Sequence, residues 1–334
     1  MSIPPEQAFG AGAGEAFAGA TAELELLEEG HEIAALSPLA LFWRRFRRDR
    51  VAQASAIFIL ILVFVAIFAP LVVKLLGLPG PYTQNPSLTG PFGEPLGPSS
   101  AHPFGVDPLG EDVASRVIYG TRVSLEVGVI GTGIATFIGV TLGMLAGYFR
   151  GWNDTIISRL LIDVTLSMPV LLLGLGIGSA CAVRGCLGGT LQPGVGVIIF
   201  LISFATWPYF ARIVRGLVLS MREREFVEAA HALGASNLRI MFREILPNLT
   251  APIIVYATLQ IPLNMLIEAS LSFLGVGVRP PTASWGQMIA AATPTFNTAW
   301  WYMVFPGAAL LLTVLAFNLL GDGLRDALNP RAAR

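Results

Sequence analysis

The sequence carries little charge and almost no lysine. Only 13% of its 334 residues are charged and 54% are hydrophobic, whereas an ordinary soluble domain has about 25% charged residues. This balance excludes a typical soluble protein and indicates a chain that crosses a membrane several times. Lys74 is the only lysine, and its surroundings, PLVVKLLG, do not match the phosphate-binding pattern GxxxxGK[ST]. We therefore expect no ATP site and no cofactor on this chain.

Histidine and cysteine are also scarce, which argues against a catalytic or metal centre. The three histidines, His31, His102 and His231, are far apart, and neither a nucleophile–base pair nor a metal-ligand spacing is present. Cys181 and Cys186 flank a short polar turn. We expect two buried or interfacial thiols there, with a local disulfide on an oxidising side of the membrane as the alternative. We therefore expect that the protein is not an enzyme.

Six apolar segments are long enough to cross the hydrocarbon core of a bilayer, which takes about 20 helical residues. We expect helices because a spanning segment must satisfy its own backbone hydrogen bonds. The predicted fold class is thus an all-α polytopic membrane protein with six transmembrane helices. The segments are residues 53–76, 123–147, 160–182, 194–217, 250–275 and 300–320.

The segments outside the spans differ in composition. Residues 1–38 contain clustered glutamates without a core-forming pattern, which predicts a mobile acidic tail. A basic juxtamembrane segment, residues 39–52, follows it. The six-helix domain is expected over residues 53–330, and residues 331–334 would form the C-terminus.

Two connecting segments within that domain carry information of their own. Residues 77–122 form the first, which begins with many Pro and Gly residues and predicts an irregular loop. Its later part, residues 107–119, has the spacing of a short amphipathic helix. The second is the polar loop at residues 218–249, between the fourth and fifth spans.

The positions of the basic residues predict the orientation in the membrane. Most of the 21 basic residues fall before the first span, in the even-numbered connections, or after the sixth span. Both termini and the loop 218–249 should therefore be cytoplasmic. The basic residues expected on the opposite side are Lys74, Arg116, Arg122, Arg184 and Arg279.

The loop 218–249 contains two short helical patterns. Phe226, Ala230 and Leu233 recur at helical spacing, and Gly234 suits a left-handed stop. Ser236 is a candidate N-cap for a second short helix that Pro247 would help to end. A DNA-binding helix-turn-helix has a similar outline. The adjoining spans leave no room for the rest of such a domain, so we expect no nucleic acid.

The same loop carries a family motif. Glu228, Ala229 and Ala230, followed by Gly234 and then by Leu246 and Pro247, resemble the EAA motif of ABC importer permeases, EAA-x3-G-x9-I-x-L-P. Glu244 stands where that motif has isoleucine.

Two further stretches narrow the resemblance. HPFGVDPLGEDVASRVIYGTRVSL (residues 102–125) is similar to the segment before the second span of dipeptide and oligopeptide permeases, although Glu111 stands where many relatives carry arginine. EASLSFLGVGVRPPTASWGQM (residues 268–288) is similar to their fifth span and following loop. The resemblance covers nearly all of residues 40–330.

This resemblance implies a type I ABC importer permease in the bacterial inner membrane. The implied partners are a second, related permease, two cytoplasmic ATPase subunits that bind ATP and magnesium, and an extracytoplasmic substrate-binding protein. The EAA helix would be the coupling helix that docks on an ATPase. The residues implied in coupling are Phe226, Glu228, Ala229, Ala230, Leu233, Gly234, Leu246 and Pro247.

Polar residues within the spans are candidates for the transport pathway, because burying them in lipid is unfavourable. Gln260, Asn264 and Glu268 share one helical stripe of the fifth span, at i, i+4 and i+8. We expect this stripe to face the pathway or a subunit interface. Glu126 and Asp163 lie near span ends, and we expect them to take interfacial or inter-helix pairing roles.

The substrate is predicted only as a class. The resemblance favours dipeptides or oligopeptides, and nickel, glutathione and antimicrobial peptides are alternatives within the same family. A stand-alone secondary transporter is an alternative of a different class, which predicts paired broken helices and ionisable residues at the midplane. A membrane enzyme is a third, and it lacks a site.

Overall fold

The computed structural model describes residues 38–90, 94–149, 151–186, 189–190 and 193–328. Residues 1–37 of the predicted tail and all of the predicted C-terminus, residues 331–334, lie outside that range. Where the chain is described, its regular structure is helical, with isolated β-bridges such as Val106 with Asp112. The helices are α1 (Pro38–Phe46), α2 (Arg50–Ile67), α3 (Ala69–Leu75), α4 (Val113–Tyr148), α5 (Trp152–Ser167), α6 (Val170–Arg184), α7 (Val195–Met221), α8 (Glu225–Ala232), α9 (Asn237–Phe273), α10 (Trp285–Ala292) and α11 (Trp300–Leu328).

The long helices confirm the all-α polytopic class. Five of them (α2, α4, α7, α9 and α11) are long and apolar enough to cross a membrane, and α5 with α6 makes a sixth span if the bent pair is counted as one. The six predicted segments therefore correspond in order to α2–α3, α4, α5–α6, α7, α9 and α11.

The chain divides into a small terminal unit, residues 1–50 with 326–334, and a main unit, Val51–Arg325. In the terminal unit, α1 bears the first arginines of the predicted basic segment. The guanidinium of Arg47 lies 5.2 Å from the centre of the Trp43 ring, a cation–π contact. The features below belong to the main unit.

Helices α4 and α7 form the closest pair in the main unit, because small residues line their contact. Gly139, Gly143 and Gly147 recur every four residues on α4. A side-chain carbon at Gly143 would lie 2.6 Å from the carbonyl oxygen of Ala211 on α7. This spacing is the small-xxx-small pattern by which membrane helices approach each other closely.

The second span begins earlier than predicted. We expected a short amphipathic helix at residues 107–119 and a separate span from residue 123, but α4 runs without a break from Val113 for 36 residues. Asp112 starts it, because its side chain accepts a hydrogen bond from the Ser115 N–H at 2.7 Å. The irregular part of the predicted loop 77–122 therefore ends at residue 112.

The third span is bent where the sequence predicted a single helix over residues 160–182. The axes of α5 and α6 meet at 83°. Pro169 lies at the bend and Met168 is extended (φ −88°, ψ 126°). Proline cannot donate a backbone hydrogen bond and pushes the preceding residue away from helical dihedral angles.

A disulfide follows the bent span. Cys181 and Cys186 are joined, so the expectation of two free thiols was wrong. Their Cα atoms lie 4.8 Å apart, within the range that a disulfide bridges. Both side chains are buried against Val197, Ile198 and Val278.

The fifth span also starts earlier than predicted. We expected the second short helix of the loop to end near Pro247, but it continues into the span as α9, a helix of 37 residues. A π-helical stretch, Ile240–Ile245, precedes Pro247. Wider turns of this kind relieve the helical hydrogen-bond ladder, and here they allow the proline to remain inside the helix. Of the predicted loop 218–249, only residues 222–224 and 233–236 lie outside helices.

Candidate functional site

The helix α8 is a separate short helix between α7 and α9, as the sequence predicted. Leu233 ends it, and Gly234 follows with φ +77°. The N–H of Ala235 bonds the carbonyl of Ala230, and the N–H of Gly234 bonds that of His231. These two bonds form a Schellman motif. Gly234 is thus in the left-handed conformation that the sequence predicted.

The next residues start α9. The Ser236 side chain accepts a hydrogen bond from the Arg239 N–H at 3.4 Å, so its predicted capping role is confirmed. Together, the Gly234 turn and the Ser236 cap fix where α8 ends and α9 begins.

One face of α8 is packed against the long helices. Val227 is buried with Met144 of α4, Val218 of α7 and Ile240 of α9. Val227 was not among the predicted site residues, although it lies three residues before Ala230 and so shares a helical face with it. Burial of this face holds α8 against the ends of three membrane helices.

Polar contacts also fix α8. The Tyr148 hydroxyl donates to Asn237 Oδ1 at 3.0 Å and lies 3.3 Å from His231 Nε2. The Arg222 guanidinium donates to the Tyr148 carbonyl oxygen at 2.9 Å. These contacts connect the end of α4 to both sides of α8.

The opposite face of α8 is exposed and partly apolar. Leu233 is 88% exposed and Phe226 is 38% exposed. Glu228 and Ala229 are exposed between them, and Ala230 is half-buried. Exposed apolar side chains that lie together are typical of a surface that binds another protein. We call Phe226, Glu228, Ala229 and Leu233 the α8 patch.

The last two residues of the motif lie elsewhere. Leu246 and Pro247 belong to α9, at least ten residues after the Ser236 cap, or about 15 Å along a helix. Leu246 packs into the cluster that holds Val227. Leu246 therefore contributes to the apolar cluster at this end of the helices, whereas Pro247 is exposed on α9.

The polar stripe of α9 is buried within the chain. Gln260, Asn264 and Glu268 are at most 6% exposed. Asn264 Nδ2 donates to Thr132 Oγ1 of α4 at 2.9 Å, and Gln260 Nε2 donates to Asn264 Oδ1 at 3.3 Å. In this structure the stripe joins α9 to α4, so pathway lining by these residues stays a prediction.

The acids near the span ends differ from one another. Asp163 of α5 forms an ion pair with Arg212 of α7 at 2.8 Å, so its inter-helix role is confirmed. Asp154 and Arg215 make a second pair between the same helices at 2.6 Å. Glu126 is exposed on α4, and its role stays a prediction.

A buried ionic cluster lies at the other end of α4 and was not predicted. Asp107, Glu111 and Arg116 are each at most 3% exposed. Arg116 is ion-paired with Glu111, and its Nε lies 3.8 Å from Asp107 Oδ2. A guanidinium nitrogen of Arg116 also lies 3.4 Å from Gln287 Oε1 of α10. The cluster therefore joins the loop before α4 to α10.

Burial governs the protonation of Asp107. Desolvation raises the pKa of this carboxyl from 3.8 to about 6, although the Arg116 charge and the Leu109 N–H both act to lower it. Charged residues in a loop before a membrane span give no sequence signal of burial, which explains why the cluster was missed.

Family models match two parts of the chain. Residues 139–334 match the family described as binding-protein-dependent transport system inner membrane component. Residues 37–91 match the N-terminal TM domain of oligopeptide transport permease C. The first match contains α7, α8 and α9.

Curated proteins are similar over most of their length. A glutathione transport system permease protein of Pectobacterium atrosepticum is 42% identical over 296 residues, which is 88% of this chain and 92% of that protein. A dipeptide transport system permease protein of Alkalihalophilus pseudofirmus is 40% identical over 297 residues, covering 89% and 91%.

The fold is also found among solved structures. A chain of a methionine ABC transporter in an inward-facing conformation superposes with a TM-score of 0.53 at 18% identity. The superposition covers 64% of this chain and 96% of that chain. At this identity the likeness concerns the fold alone.

Proposed function

The chain belongs to the family of inner membrane components of binding-protein-dependent transport systems, and on this premise we propose that it is a permease subunit of an ATP-driven peptide importer. It would form the translocation pathway together with a second, related permease. Two ATPase subunits and a substrate-binding protein would complete the complex. ATP and magnesium would be bound on the ATPases, since the sequence has no Walker loop.

The α8 patch carries the proposal. Its inner side is fixed to three helices through Val227, while Phe226 and Leu233 project outward. A helix that is rigidly held and apolar on its free side is suited to dock in a groove of another subunit. We assign the partner as the ATPase, with Glu228 and Ala229 in the contact and Ala230 at its edge.

The remaining motif residues would act behind that contact. Gly234 provides the left-handed turn between α8 and α9, and Leu246 packs against the apolar cluster that holds Val227 of α8. Movement of the docked α8 would then displace α4, α7 and α9 together, because their ends share one apolar cluster. Such rigid-body movement is how switching transitions open and close a pathway.

The orientation follows from the same assignment. An ATPase that docks on α8 places α8 and both termini in the cytoplasm, in agreement with the distribution of arginine. The ionic cluster of Arg116, the disulfide and α10 would then face the extracytoplasmic side. We further propose that the polar stripe of Gln260, Asn264 and Glu268 borders the pathway when α4 and α9 separate.

We propose peptides as the substrate class. The similar proteins are named for glutathione, a tripeptide, and for dipeptides. The N-terminal match is to an oligopeptide permease domain. Nickel and antimicrobial peptides remain alternatives to be tested, because selectivity in such a complex depends largely on the binding protein.

The proposal is tested by reconstituting the complex in lipid vesicles with its binding protein. ATP hydrolysis and uptake are measured with dipeptides, longer peptides, glutathione and nickel. We expect one peptide class to stimulate ATP hydrolysis and to accumulate in the vesicles. Uptake by the purified chain alone, without ATP and without a bound ATPase, would overturn the proposal in favour of a stand-alone secondary transporter.

A further inference from the structure

Glu268 is a buried carboxylate that joins two helices. It lies near the end of α9 and is 1% exposed. Its Oε1 accepts a hydrogen bond from Ser272 Oγ at 2.8 Å and another from Ser284 Oγ at 2.9 Å. Ser284 is the N-cap of α10, since its Oγ accepts from the Gln287 N–H at 3.1 Å. Glu268 thus reaches from α9 to the N-cap of α10.

The same carboxylate also orders the chain between the two helices. The Ser272 hydroxyl, which donates to Glu268, accepts a hydrogen bond from the Val278 N–H at 3.3 Å. Gly286 of α10 packs directly on α9, because a side-chain carbon there would lie 3.1 Å from Cβ of Ala269. Helix α10 is therefore held tightly against the end of α9.

Helix α10 is fixed to α4 as well. The Trp285 indole donates to the Val117 carbonyl oxygen at 3.0 Å, and the Trp285 N–H donates to Ser124 Oγ at 3.2 Å. Trp285 is completely buried, and Arg116 reaches Gln287. Helix α10 therefore packs between the extracytoplasmic ends of α4 and α9.

Helix α9, which carries Glu268, is continuous from that residue to its other end, where it packs against α8. Its 37 residues correspond to about 55 Å of helix. At the other end, Ile240 and Ile245 pack around Val227 of α8. One continuous helix therefore connects the α8 patch to the Glu268 contact, and a displacement at one end must appear at the other or be absorbed by bending.

We propose that Glu268 is a positioning residue that transmits movement between the two sides of the membrane. Because Glu268 binds Ser284, α10 moves together with α9. Docking of the binding protein on the extracytoplasmic side would then be transmitted through α9 to α8 and to the ATPase. This inference rests on the proposed function, which supplies the ATPase and the binding protein. It identifies the contact between Glu268 and Ser284 as the place where the two sides of the membrane are coupled.

The chemistry of the joint fits this role. One carboxylate oxygen serves two hydroxyl donors on different segments, and charge-assisted hydrogen bonds of this kind are shorter and stronger than neutral ones. Alanine at position 268 would leave both hydroxyls without their acceptor. Glutamine would retain an acceptor oxygen of the same reach, so that Glu268→Gln should preserve part of the coupling.

The test uses the reconstituted full complex with Glu268→Ala, Glu268→Gln and Ser284→Ala. Glu126→Gln, which changes an exposed acid on α4, is the matched control. The readout is the ratio of ATPase rates with and without peptide-loaded binding protein. We expect Glu268→Ala and Ser284→Ala each to reduce this ratio about fivefold or more, as loss of an allosteric coupling does, and Ser284→Ala to leave the basal rate unchanged.

The other variants separate coupling from folding. Glu268→Gln should restore part of the ratio, and the control should match wild type. The double variant Glu268→Ala, Ser284→Ala should be no worse than the poorer single variant, since both remove one contact. If Glu268→Ala fails to assemble, Glu268→Gln and Ser284→Ala provide the same comparison.

A wild-type ratio in Glu268→Ala and Ser284→Ala would overturn the inference. If the basal rate, the stimulated rate and the thermal midpoint all fall while the ratio keeps its wild-type value, the contact only stabilises the fold. A wild-type complex that shows no stimulated ATPase with any substrate would instead contradict the proposed function itself.

Discussion

At the scale of single residues, charges buried outside the spans are the least ordinary feature of the chain. Arg116 is enclosed by Asp107, Glu111 and Gln287. Removing one member of a buried ion pair leaves the other uncompensated, at a cost of about 3–5 kcal/mol. The cluster joins the loop before α4 to α10, so breaking it should loosen both.

Asp107 should make stability depend on pH in this cluster. Its pKa is 3.8 as a free side chain and about 6 in the folded chain. Between these values the folded chain retains a proton that the unfolded chain has lost, so stability falls as the pH rises through this window and is constant above it. Asp107→Asn keeps the oxygen that accepts from Leu109 and Glu111 and removes the titration.

The measurement is the thermal midpoint of the purified complex at several pH values. Relative to Asp107→Asn, the wild type should lose at most about 3 kcal/mol between about pH 4 and about pH 6.5. Glu94→Gln, in the same loop, is the control. A constant difference between wild type and Asp107→Asn across this range would contradict the prediction.

At the scale of elements, the joint between α8 and α9 is constrained by its backbone conformation. Residues 233–236 connect them, and Gly234 there has φ +77°. A side-chain carbon at Gly234 would meet no other atom, so backbone conformation alone restricts this position. Space is available for a side chain, but proline, whose φ is fixed near −65°, cannot adopt the turn.

Gly234→Pro should therefore abolish ATPase-coupled uptake while leaving membrane insertion intact. Gly234→Asn is the matched control, because asparagine tolerates the left-handed conformation, and it should retain most of the uptake. Uptake in vesicles and the amount of subunit in the membrane fraction are measured together. Full uptake by Gly234→Pro would show that the angle at this joint does not matter for coupling.

At the scale of the whole molecule, the sequence predicted the features that depend on local patterns. The apolar segments predicted the number and order of the spans, since hydrophobicity over about 20 residues is a strong signal. Gly234 and Ser236 predicted where α8 ends and α9 begins because capping depends on neighbouring residues.

The features that the sequence did not predict depend on contacts between residues far apart in the sequence, or on whether a helix continues past a proline. Arg116 meets Gln287 across 171 residues, and Glu268 meets Ser284 only because α10 folds back on α9. The unbroken α9 was missed because Pro247 indicates a helix end by local rules, whereas the π-helical stretch before it keeps the helix intact. Burial of the stripe on α9 likewise depends on Thr132 of another helix.

The proposed orientation of the whole molecule has a direct chemical test. Cys181 and Cys186 are the only cysteines in the sequence, and their disulfide persists only on an oxidising side. A membrane-impermeant reductant is applied to intact spheroplasts, and free thiols are then counted by mass tagging after denaturation. We expect two tags after this treatment and none without it. Two tags in the untreated sample would contradict the orientation.

In the proposed orientation that disulfide would depend on thiol oxidation outside the cytoplasm. It ties the last turn of α6 to Cys186, two residues after the helix ends, so it would form only after the third span has been inserted. A cell with impaired thiol oxidation would therefore make the subunit with the end of α6 unlinked. The supply of working importer, and with it nutrient uptake, would then depend on the redox state outside the cytoplasm.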